Sequence, residues 1–330
     1  MVYSLVRPDY YGLSDHSFHQ GETSGRANAR EASRFLLSSP QLVTKSRWNM
    51  MLMQFGQFLT HDVTRTSLLP TDRCGNCNEI SGRCLPIRVE NNDPRFGCRS
   101  PQCCLFFTRS SPLCGTGITQ ARMQVNENTA FIDGSAIYSS SLQDSARLRE
   151  PGSGRMRFTF FNNHIMPPFN PQTCANPQNC NANFDVGDNR ASIFNALVGM
   201  HALMIREHNR IATALGQLNP RWSPDRIFQE TRKIIGAEIQ VITSKEWLPK
   251  IIGNSYDTIY GRYRHYDPSV DPSIFNEFAT AAMRFGHGMI TEFYEKRTDN
   301  GHVPQGKVRY SSPSFSTCIQ QHINYACIKT

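Results

Sequence analysis

The stretch from Gln57 to Asp62 places an amide, an imidazole and a carboxylate close together. Gln57 and His61 are four residues apart, so on a helix their side chains share one face. Asp62 follows His61 directly and points about a quarter-turn further round. One turn would therefore aim a neutral histidine and an amide into one pocket and a carboxylate into a neighbouring one. That arrangement suits proton transfer beside a bound metal ion.

The segment from Thr129 to Ser135 offers oxygen atoms at every second residue. The two hydroxyls, the carboxylate of Asp133 and the carbonyl of Phe131 are hard ligands of the kind that calcium takes. Asp62 could supply a second carboxylate. A helix N-cap or a turn built on Asp133 and Ser135 is the alternative interpretation of the same residues.

Two later segments add a fixed cation and another histidine. Arg190 ends a Gly-Asp-Asn-Arg string, and a guanidinium can stabilise negative charge that develops on a leaving oxygen. His287 follows Gly286, which would let a flat macrocycle approach the backbone, and neutral imidazole is the axial ligand of haem iron in peroxidases. Taken alone, an arginine before a helix is usually a surface or capping residue, and a helical histidine usually belongs to a core.

In this order the segments resemble motifs of the animal haem peroxidases, from about residue 30 to 300. The resemblance implies a mainly α fold, a haem-centred helical peroxidase domain with disulfide-rich loops and little sheet. It implies one incomplete domain over residues 1–330, because the family's segment after the proximal histidine is not recognised. It also assigns the candidate site residues, which are His61, Arg190 and Gln57 for catalysis, His287 and Arg284 for haem, and Asp62, Thr129, Phe131, Asp133 and Ser135 for calcium.

The resemblance further implies a haem-dependent peroxidase that reduces hydrogen peroxide and oxidises a phenolic, tyrosyl or halide donor. His61 would take a proton from hydrogen peroxide and return it to the leaving oxygen. Arg190 would stabilise the developing charge, Gln57 would orient water or a halide, and His287 would hold the haem iron. The positions that carry ester-forming carboxylates in mammalian members are Thr60 and Ile193 here, so haem b is expected without ester links.

The cysteines favour an oxidising compartment. There are 11 of them, and seven lie between Cys74 and Cys114 in Gly- and Pro-rich sequence, which predicts disulfide-linked loops over about residues 70–120. A zinc site using Cys74 and Cys77 is the alternative. We therefore expect an extracellular protein, although the N-terminus shows no signal peptide. No apolar run is long enough to span a membrane, and the net charge of +8 is scattered, which disfavours nucleic-acid binding.

Hydrophobic periodicity predicts the helices. They span about 45–62, 121–126, 196–215, 225–242 and 276–290. His208, on the third of these, is expected to be hydrogen-bonded within the structure and not to bind a ligand. An alternative to the enzyme is a catalytically degenerate module, stabilised by calcium and disulfides, that binds an extracellular-matrix partner.

Overall fold

The computed structural model describes twelve segments of the chain, and every statement below refers to them. They are residues 4–7, 29–37, 48–67, 74–78, 83–96, 103–116, 122–161, 164–169, 184–193, 195–290, 293–297 and 304–309.

The fold is mainly helical, as the sequence predicts. The helices are α1 Ala29–Leu37, α2 Met51–Val63, α3 Ser135–Tyr138, α4 Leu142–Arg147, α5 Asn195–Leu218, α6 Pro224–Val241, α7 Leu248–Ile252, α8 Tyr256–Ile259 and α9 Asn276–Thr280. A π-helix, Ile242–Trp247, continues α6, and 3-10 turns occupy Ala191–Ile193, Gly253–Ser255 and Ala282–Met289. No described helix is both long and apolar enough to cross a membrane.

The strands are short. They are β1 Ser4–Arg7, β2 Ile87–Arg88, β3 Cys104–Leu105, β4 Gln124–Asn126, β5 Thr159–Phe161, β6 His164–Met166, β7 Ile274–Phe275, β8 Phe293–Arg297 and β9 Pro304–Arg309. Three antiparallel pairs form, β2 with β3, β5 with β6 and β8 with β9. A three-stranded sheet has the order β4-β1-β7.

The chain divides into two compact units. The first comprises residues 1–4, 48–65 and 127–274, and the second comprises residues 5–47, 66–126 and 275–330. In the first unit α5 packs against α2 and α6. Its core contains Phe58, Leu197, Ile205 and Ile235, which are all at most 1% exposed. Each such side chain contributes roughly 1.5–3 kcal/mol by its removal from water.

The two long helices agree with the periodicity that predicted them. Helix α5 extends slightly beyond the expected 196–215, and α6 begins at Pro224 after Ser223, whose hydroxyl accepts a hydrogen bond from the Arg226 N–H and so caps the helix. Helix α2 begins at Met51, whereas the sequence predicted a start near residue 45. Residues 48–50 form a bend and a turn, so the described helix starts after them.

Two of the shorter helix predictions were wrong. Residues 124–126 form strand β4, because the N–H and C=O of Val125 bond to the main chain of Ser111 and Ser67. The helix expected over 276–290 is broken at Ala281, whose φ of −127° and ψ of −65° lie outside the helical region. A 3-10 turn follows that contains Gly286 and Gly288, and glycine is a poor helix former.

The second unit carries the disulfides predicted from the clustered cysteines. Cys74 bonds to Cys84, and Cys77 bonds to Cys104. The zinc interpretation of Cys74 and Cys77 was therefore wrong. Cys103 is also disulfide-bonded, whereas Cys114 is a free and exposed cysteine.

Candidate active site and calcium site

The C-terminal end of α2 carries the predicted catalytic histidine and the first predicted calcium ligand. His61 is 6% exposed and Asp62 is fully buried. Gln57 lies one turn earlier on the same face, where its Oε1 accepts a hydrogen bond of 3.0 Å from Gln54 Nε2. The sequence-predicted arrangement of amide and imidazole along one helix face is therefore present.

Side chains from two other segments hold the last carbonyls of this helix. A helix leaves its final C=O groups without helical partners. Arg190 Nη2 donates to the carbonyl oxygens of His61 and Thr64, at 3.2 and 2.9 Å. Asn128 Nδ2 donates to the His61 carbonyl at 2.5 Å. The backbone that carries His61 is thus fixed by an arginine and an asparagine far away in sequence.

Arg190 is itself fixed by Asp188. The guanidinium Nε lies 2.9 Å from Asp188 Oδ1, and both side chains are buried. Burial would raise the pKa of Asp188, but the adjacent guanidinium outweighs it and holds that pKa well below the usual range. Gly187, which precedes Asp188, packs closely on residues 137–139, since a Cβ there would lie 2.4 Å from the main-chain nitrogen of Ser139.

The Asp62 carboxylate is surrounded by hydrogen-bond donors but by no positive charge. It accepts from the N–H groups of Asp133, Gly134 and Ala136 at 3.1, 3.2 and 2.9 Å. No lysine, arginine or histidine of the described segments forms an ion pair with it. Burial, together with the nearby charge of Asp133, raises its pKa to about 7. A buried carboxylate without a counter-charge fits a bound cation.

The remaining predicted calcium ligands lie in the turn that precedes α3 and at the first residue of that helix, Ser135. Ser135 Oγ donates to the carbonyl of Asp62 at 2.8 Å, and Asp133 Oδ1 accepts from the Ser135 N–H at 2.9 Å. Thr129 Oγ1 is 3.4 Å from the carbonyl oxygen of Phe131. The turn geometry offered as the alternative interpretation is present. Of the predicted ligands, Ser135 and the main chain of Asp133 contact Asp62 directly, whereas Thr129 and Phe131 contact each other.

His287 and Arg284 lie in the 3-10 turn of the second unit. The imidazole of His287 is half-buried and makes no hydrogen bond to another described residue. Burial, and then the charge of Arg284, lowers its pKa, which favours the neutral form that a metal ion binds. Arg284 Nε donates to the carbonyl of Ala279 at 3.0 Å.

His208 lies in a closed hydrogen-bond network, in keeping with the structural role expected for it. Its Nε2 is 3.0 Å from the carbonyl oxygen of Gly154, which can only accept, so Nε2 carries the proton. Nδ1 then accepts the hydrogen bond of 2.7 Å from the Tyr138 hydroxyl. Both nitrogens are satisfied inside the protein.

Sequence reasoning missed three residues of this region. Asp188 was part of the Gly-Asp-Asn-Arg string, and a carboxylate two residues before a buried arginine is a usable signal. Asn128 had no such signal, because its role depends on a contact with residue 61. His201 is fully buried next to the Phe58 ring, with the two ring centroids 5.4 Å apart. Nothing in its spacing distinguished it from an ordinary core position.

The structure also describes Thr60 and Ile193, the two positions at which ester links to haem are not expected. The hydroxyl of Thr60 donates to the carbonyl of Gly56 at 2.8 Å, within α2. Ile193 ends the 3-10 turn that begins at Ala191 and has a purely aliphatic side chain. Neither side chain has a carboxylate that could form an ester.

The model of the animal haem peroxidase family matches residues 4–325. The chain belongs to this family. Peroxidase mlt-7 from Caenorhabditis elegans is 50% identical over 274 residues, which are 83% of this chain and 37% of that protein. The peroxidasin homolog from Homo sapiens is 36% identical over 332 residues, which are 91% of this chain and 22% of that protein.

Solved structures with a similar fold agree with the helical architecture. Peroxidase A from Dictyostelium discoideum superposes with a TM-score of 0.71 at 27% identity, over 86% of this chain and 55% of that one. A fatty acid alpha-dioxygenase from Arabidopsis thaliana gives a TM-score of 0.62 at 13% identity, which shows a shared fold only. The chain spans between about a fifth and two fifths of the curated relatives reported above.

Proposed function

We propose that this chain is the part of a haem peroxidase that handles hydrogen peroxide, with a phenolic, tyrosyl or halide donor as the reducing substrate. The observation that carries the proposal is the end of α2, where Arg190 and Asn128 hold the backbone of a buried histidine. Family membership adds the expectation of haem. When bound, haem would supply the iron at which peroxide is reduced.

The residues of the chain have separate roles in this proposal. His61 accepts a proton from hydrogen peroxide and returns it to the leaving oxygen. Arg190 stabilises the negative charge that develops on that oxygen, and Gln57 orients water or a halide. The neutral imidazole of His287 would hold the haem iron, and Arg284 would be a second residue of the haem site. Thr60 and Ile193 leave haem b attached without ester links.

Asp188 and Asn128 are positioning residues in this scheme. Asp188 neutralises Arg190 and fixes its orientation through the Nε bond of 2.9 Å. Asn128 restrains the His61 backbone through the bond of 2.5 Å to its carbonyl. A proton-transfer group must hold its position to a fraction of an ångström to be effective, so loss of either restraint should lower turnover.

We propose calcium as the second cofactor, bound by Asp62, Asp133, Thr129, Ser135 and the carbonyl of Phe131. The support is the buried Asp62 carboxylate, whose contacts with the described residues are to N–H and O–H donors. A divalent cation would supply the missing positive charge and keep Asp62 ionised. Because Asp62 follows His61, calcium would also restrain the catalytic histidine.

Haem binding is tested by titrating the purified, oxidised protein with haemin and reading the Soret band. Saturable binding is expected in the parent chain and in a His265→Ala control, which removes an exposed histidine. It should be lost in His287→Ala. Equal spectra for both variants would remove His287 as the residue that holds the haem iron.

Catalysis is tested on the haem-loaded protein. His61→Ala should abolish most peroxide turnover and leave the haem spectrum saturable. Full turnover in this variant would contradict the proposed proton transfer. Calcium binding is tested separately by thermal unfolding with and without calcium. Asp62→Asn should lose the calcium-dependent rise in Tm, whereas Asp225→Asn, at a far more exposed carboxylate, should keep it.

A second candidate is a non-catalytic module with calcium and disulfides that binds an extracellular-matrix partner. The supporting observation is that the Arg190 guanidinium is engaged with Asp188, His61 and Thr64, as in an arginine that only caps a helix. Haemin that fails to bind, combined with a calcium-dependent rise in Tm, would favour this candidate over the enzyme.

A further inference from the structure

The surface of the first unit carries a short run of tyrosines with arginines among them. This tyrosine segment, residues 256–266, contains four tyrosines, Tyr256, Tyr260, Tyr263 and Tyr266. It begins as α8, and Gly261, at a φ of +62°, turns the chain out of that helix. Residues 262–266 then run along the surface without regular structure, and all of them are exposed.

The four tyrosines differ sharply in accessibility. Tyr256 is half-buried, its hydroxyl donates to the carbonyl of Ser244 at 2.5 Å, and its ring stacks on Tyr260 at 5.2 Å. Tyr260 is 43% exposed, whereas Tyr263 and Tyr266 are 75% and 69% exposed. Neither of these last two makes a hydrogen bond to another described residue, so both phenols face solvent.

The other tyrosine with a described side chain provides the contrast. Tyr138 is fully buried, and its hydroxyl is bonded to His208 at 2.7 Å. Accessible phenol is therefore concentrated at two positions three residues apart, within the part of the chain whose side chains are described. Tyr263 and Arg262 line part of an open surface depression together with Lys245 and Tyr256.

We propose that Tyr263 and Tyr266 are themselves phenolic donors and become covalently coupled to a phenol on another molecule. The inference rests on the proposed peroxidase function. Each phenol gives one electron and one proton to the reduction of hydrogen peroxide. The two phenoxyl radicals join through a new carbon–carbon bond between ortho carbons, and the two ortho hydrogens move to the oxygens. Two phenols and one hydrogen peroxide yield one biphenol and two waters.

Charge around the two rings selects the partner. Arg262 and Arg264 flank Tyr263 and are exposed, whereas the carboxylates Asp257 and Asp267 lie at the two ends of the segment, so the basic part of the segment is centred on Tyr263. The whole chain has a net charge of +8. Two copies of the segment therefore repel each other at low ionic strength. An acidic molecule that carries a phenol is attracted instead, so the segment is a covalent attachment point for such a partner and not primarily a self-coupling site.

The test uses a biotin-tagged tyramine as the phenol and mass spectrometry to locate it. In one arm, the haem-loaded protein receives hydrogen peroxide and the probe. In the other arm, a separate plant peroxidase supplies the oxidation. The proposal expects the tag on Tyr263 and Tyr266 in both arms, and none on Tyr138. A Tyr263→Phe, Tyr266→Phe double variant should lose most of the tag.

The matched control removes two tyrosines elsewhere, Tyr10→Phe and Tyr11→Phe, and should retain the tag. Tagging that falls equally in both double variants, or that lies mainly outside the tyrosine segment in both arms, overturns the proposal. Tagging of Tyr263 and Tyr266 by the added peroxidase alone supports the attachment site and counts against the proposed function. Failure of the attachment site can therefore be told apart from failure of the proposed peroxidase function.

An acidic peptide containing tyrosine replaces the probe in the second step. Its coupling to the parent protein should exceed coupling of a neutral peptide of the same length, and the difference should shrink as salt is raised. Arg262→Gln with Arg264→Gln should remove the preference and leave tagging by tyramine intact. Equal coupling of the two peptides to the parent protein would overturn the charge argument.

Discussion

His201 and His208 lie two turns apart on α5, and both are fully buried. Burial lowers the pKa of each from 6.5 to about 4. Their hydrogen bonding differs completely. His208 bonds through both nitrogens, to Tyr138 and Gly154, whereas neither nitrogen of His201 is hydrogen-bonded within the described chain. The two histidines are therefore equally buried but differ in whether their ring nitrogens are hydrogen-bonded, and so in the free energy that each contributes to folding.

The difference teaches that burial alone does not identify a structural histidine. A hydrogen bond between buried partners contributes about 1 kcal/mol, but a buried polar group left without its partner costs about 1–3 kcal/mol. His208 joins α5 to α3 and to the loop at residue 154, so its removal leaves partners behind. Removal of His201 leaves no hydrogen-bond partner unsatisfied within the described chain, so its imidazole could be exchanged for an apolar side chain.

The largest effect is expected for His208→Leu. The Tyr138 hydroxyl and the Gly154 carbonyl would remain buried without partners, so the free energy of unfolding should fall by about 4 kcal/mol. Urea denaturation at neutral pH measures it. Tyr138→Phe should cost less, and adding it to His208→Leu should cost less than the sum of the two single changes. Strict additivity would contradict the shared network.

A smaller loss is expected for Gly154→Ala, at the other end of the same network. A Cβ there would lie 2.3 Å from Ile227 Cγ2 and 3.2 Å from the main-chain nitrogen of Phe228. Overpacking of this kind costs about 1–3 kcal/mol. Gly199→Ala is the control, because that helical position has open space around it and should gain about 0.5–1 kcal/mol. Equal signs for the two variants would contradict the packing argument.

The third prediction concerns the loss of folding stability at acidic pH. The unfolded chain protonates His201 below pH 6.5, but the folded chain does so only near pH 4. The unfolded state therefore binds more protons in that window, and stability is lost as the pH falls from 6.5 towards 4. One such group contributes a slope of about 1.4 kcal/mol per pH unit.

His201→Leu should remove this contribution to the slope, measured by urea denaturation at several pH values. The charges near His201 are Asp188, which raises its pKa, and Arg190, which lowers it further. Asp62 acts with the opposite sign, since its pKa is raised to about 7 and its protonated form is favoured in the folded state. Comparison of parent and variant cancels that contribution. An unchanged slope would mean that His201 titrates normally.

The sequence predicted what depends on local periodicity and recognisable motifs. The long helices α5 and α6, the helical setting of Gln57 and His61 and the disulfide-rich loops all follow from spacing or composition. The points at which the predicted helices end or give way to a strand could not be predicted in this way. Residues 276–290 have helical periodicity, but the chain leaves the helical region at Ala281. Residues 124–126 form a strand because of pairing with residues distant in sequence.

The candidate site likewise contains residues that the sequence predicted and contacts that it did not. Its motif residues could be listed from the sequence, but the contacts that orient them could not. Arg190 was expected to face a peroxide, and the structure adds its bonds to Asp188 and to the end of α2. Asn128 had no sequence signal, and the sequence assigned no role to His201. Their roles depend on which side chains meet across 60 or more intervening residues, and no local pattern contains that information.

The smallest effect is expected for His201→Leu at neutral pH, where the imidazole is neutral in both states. The change removes no hydrogen bond to a described residue, and leucine can keep the contact with the Phe58 ring. Removal of two buried nitrogens without partners favours the folded state, whereas leucine fills the space of the imidazole imperfectly, and the two effects should nearly cancel, leaving a change within about 1 kcal/mol. A loss as large as that of His208→Leu would mean that a group such as an ordered water satisfies His201. The two histidines would then be equivalent, and His201 would belong to the polar network that fixes Asp188 and Arg190.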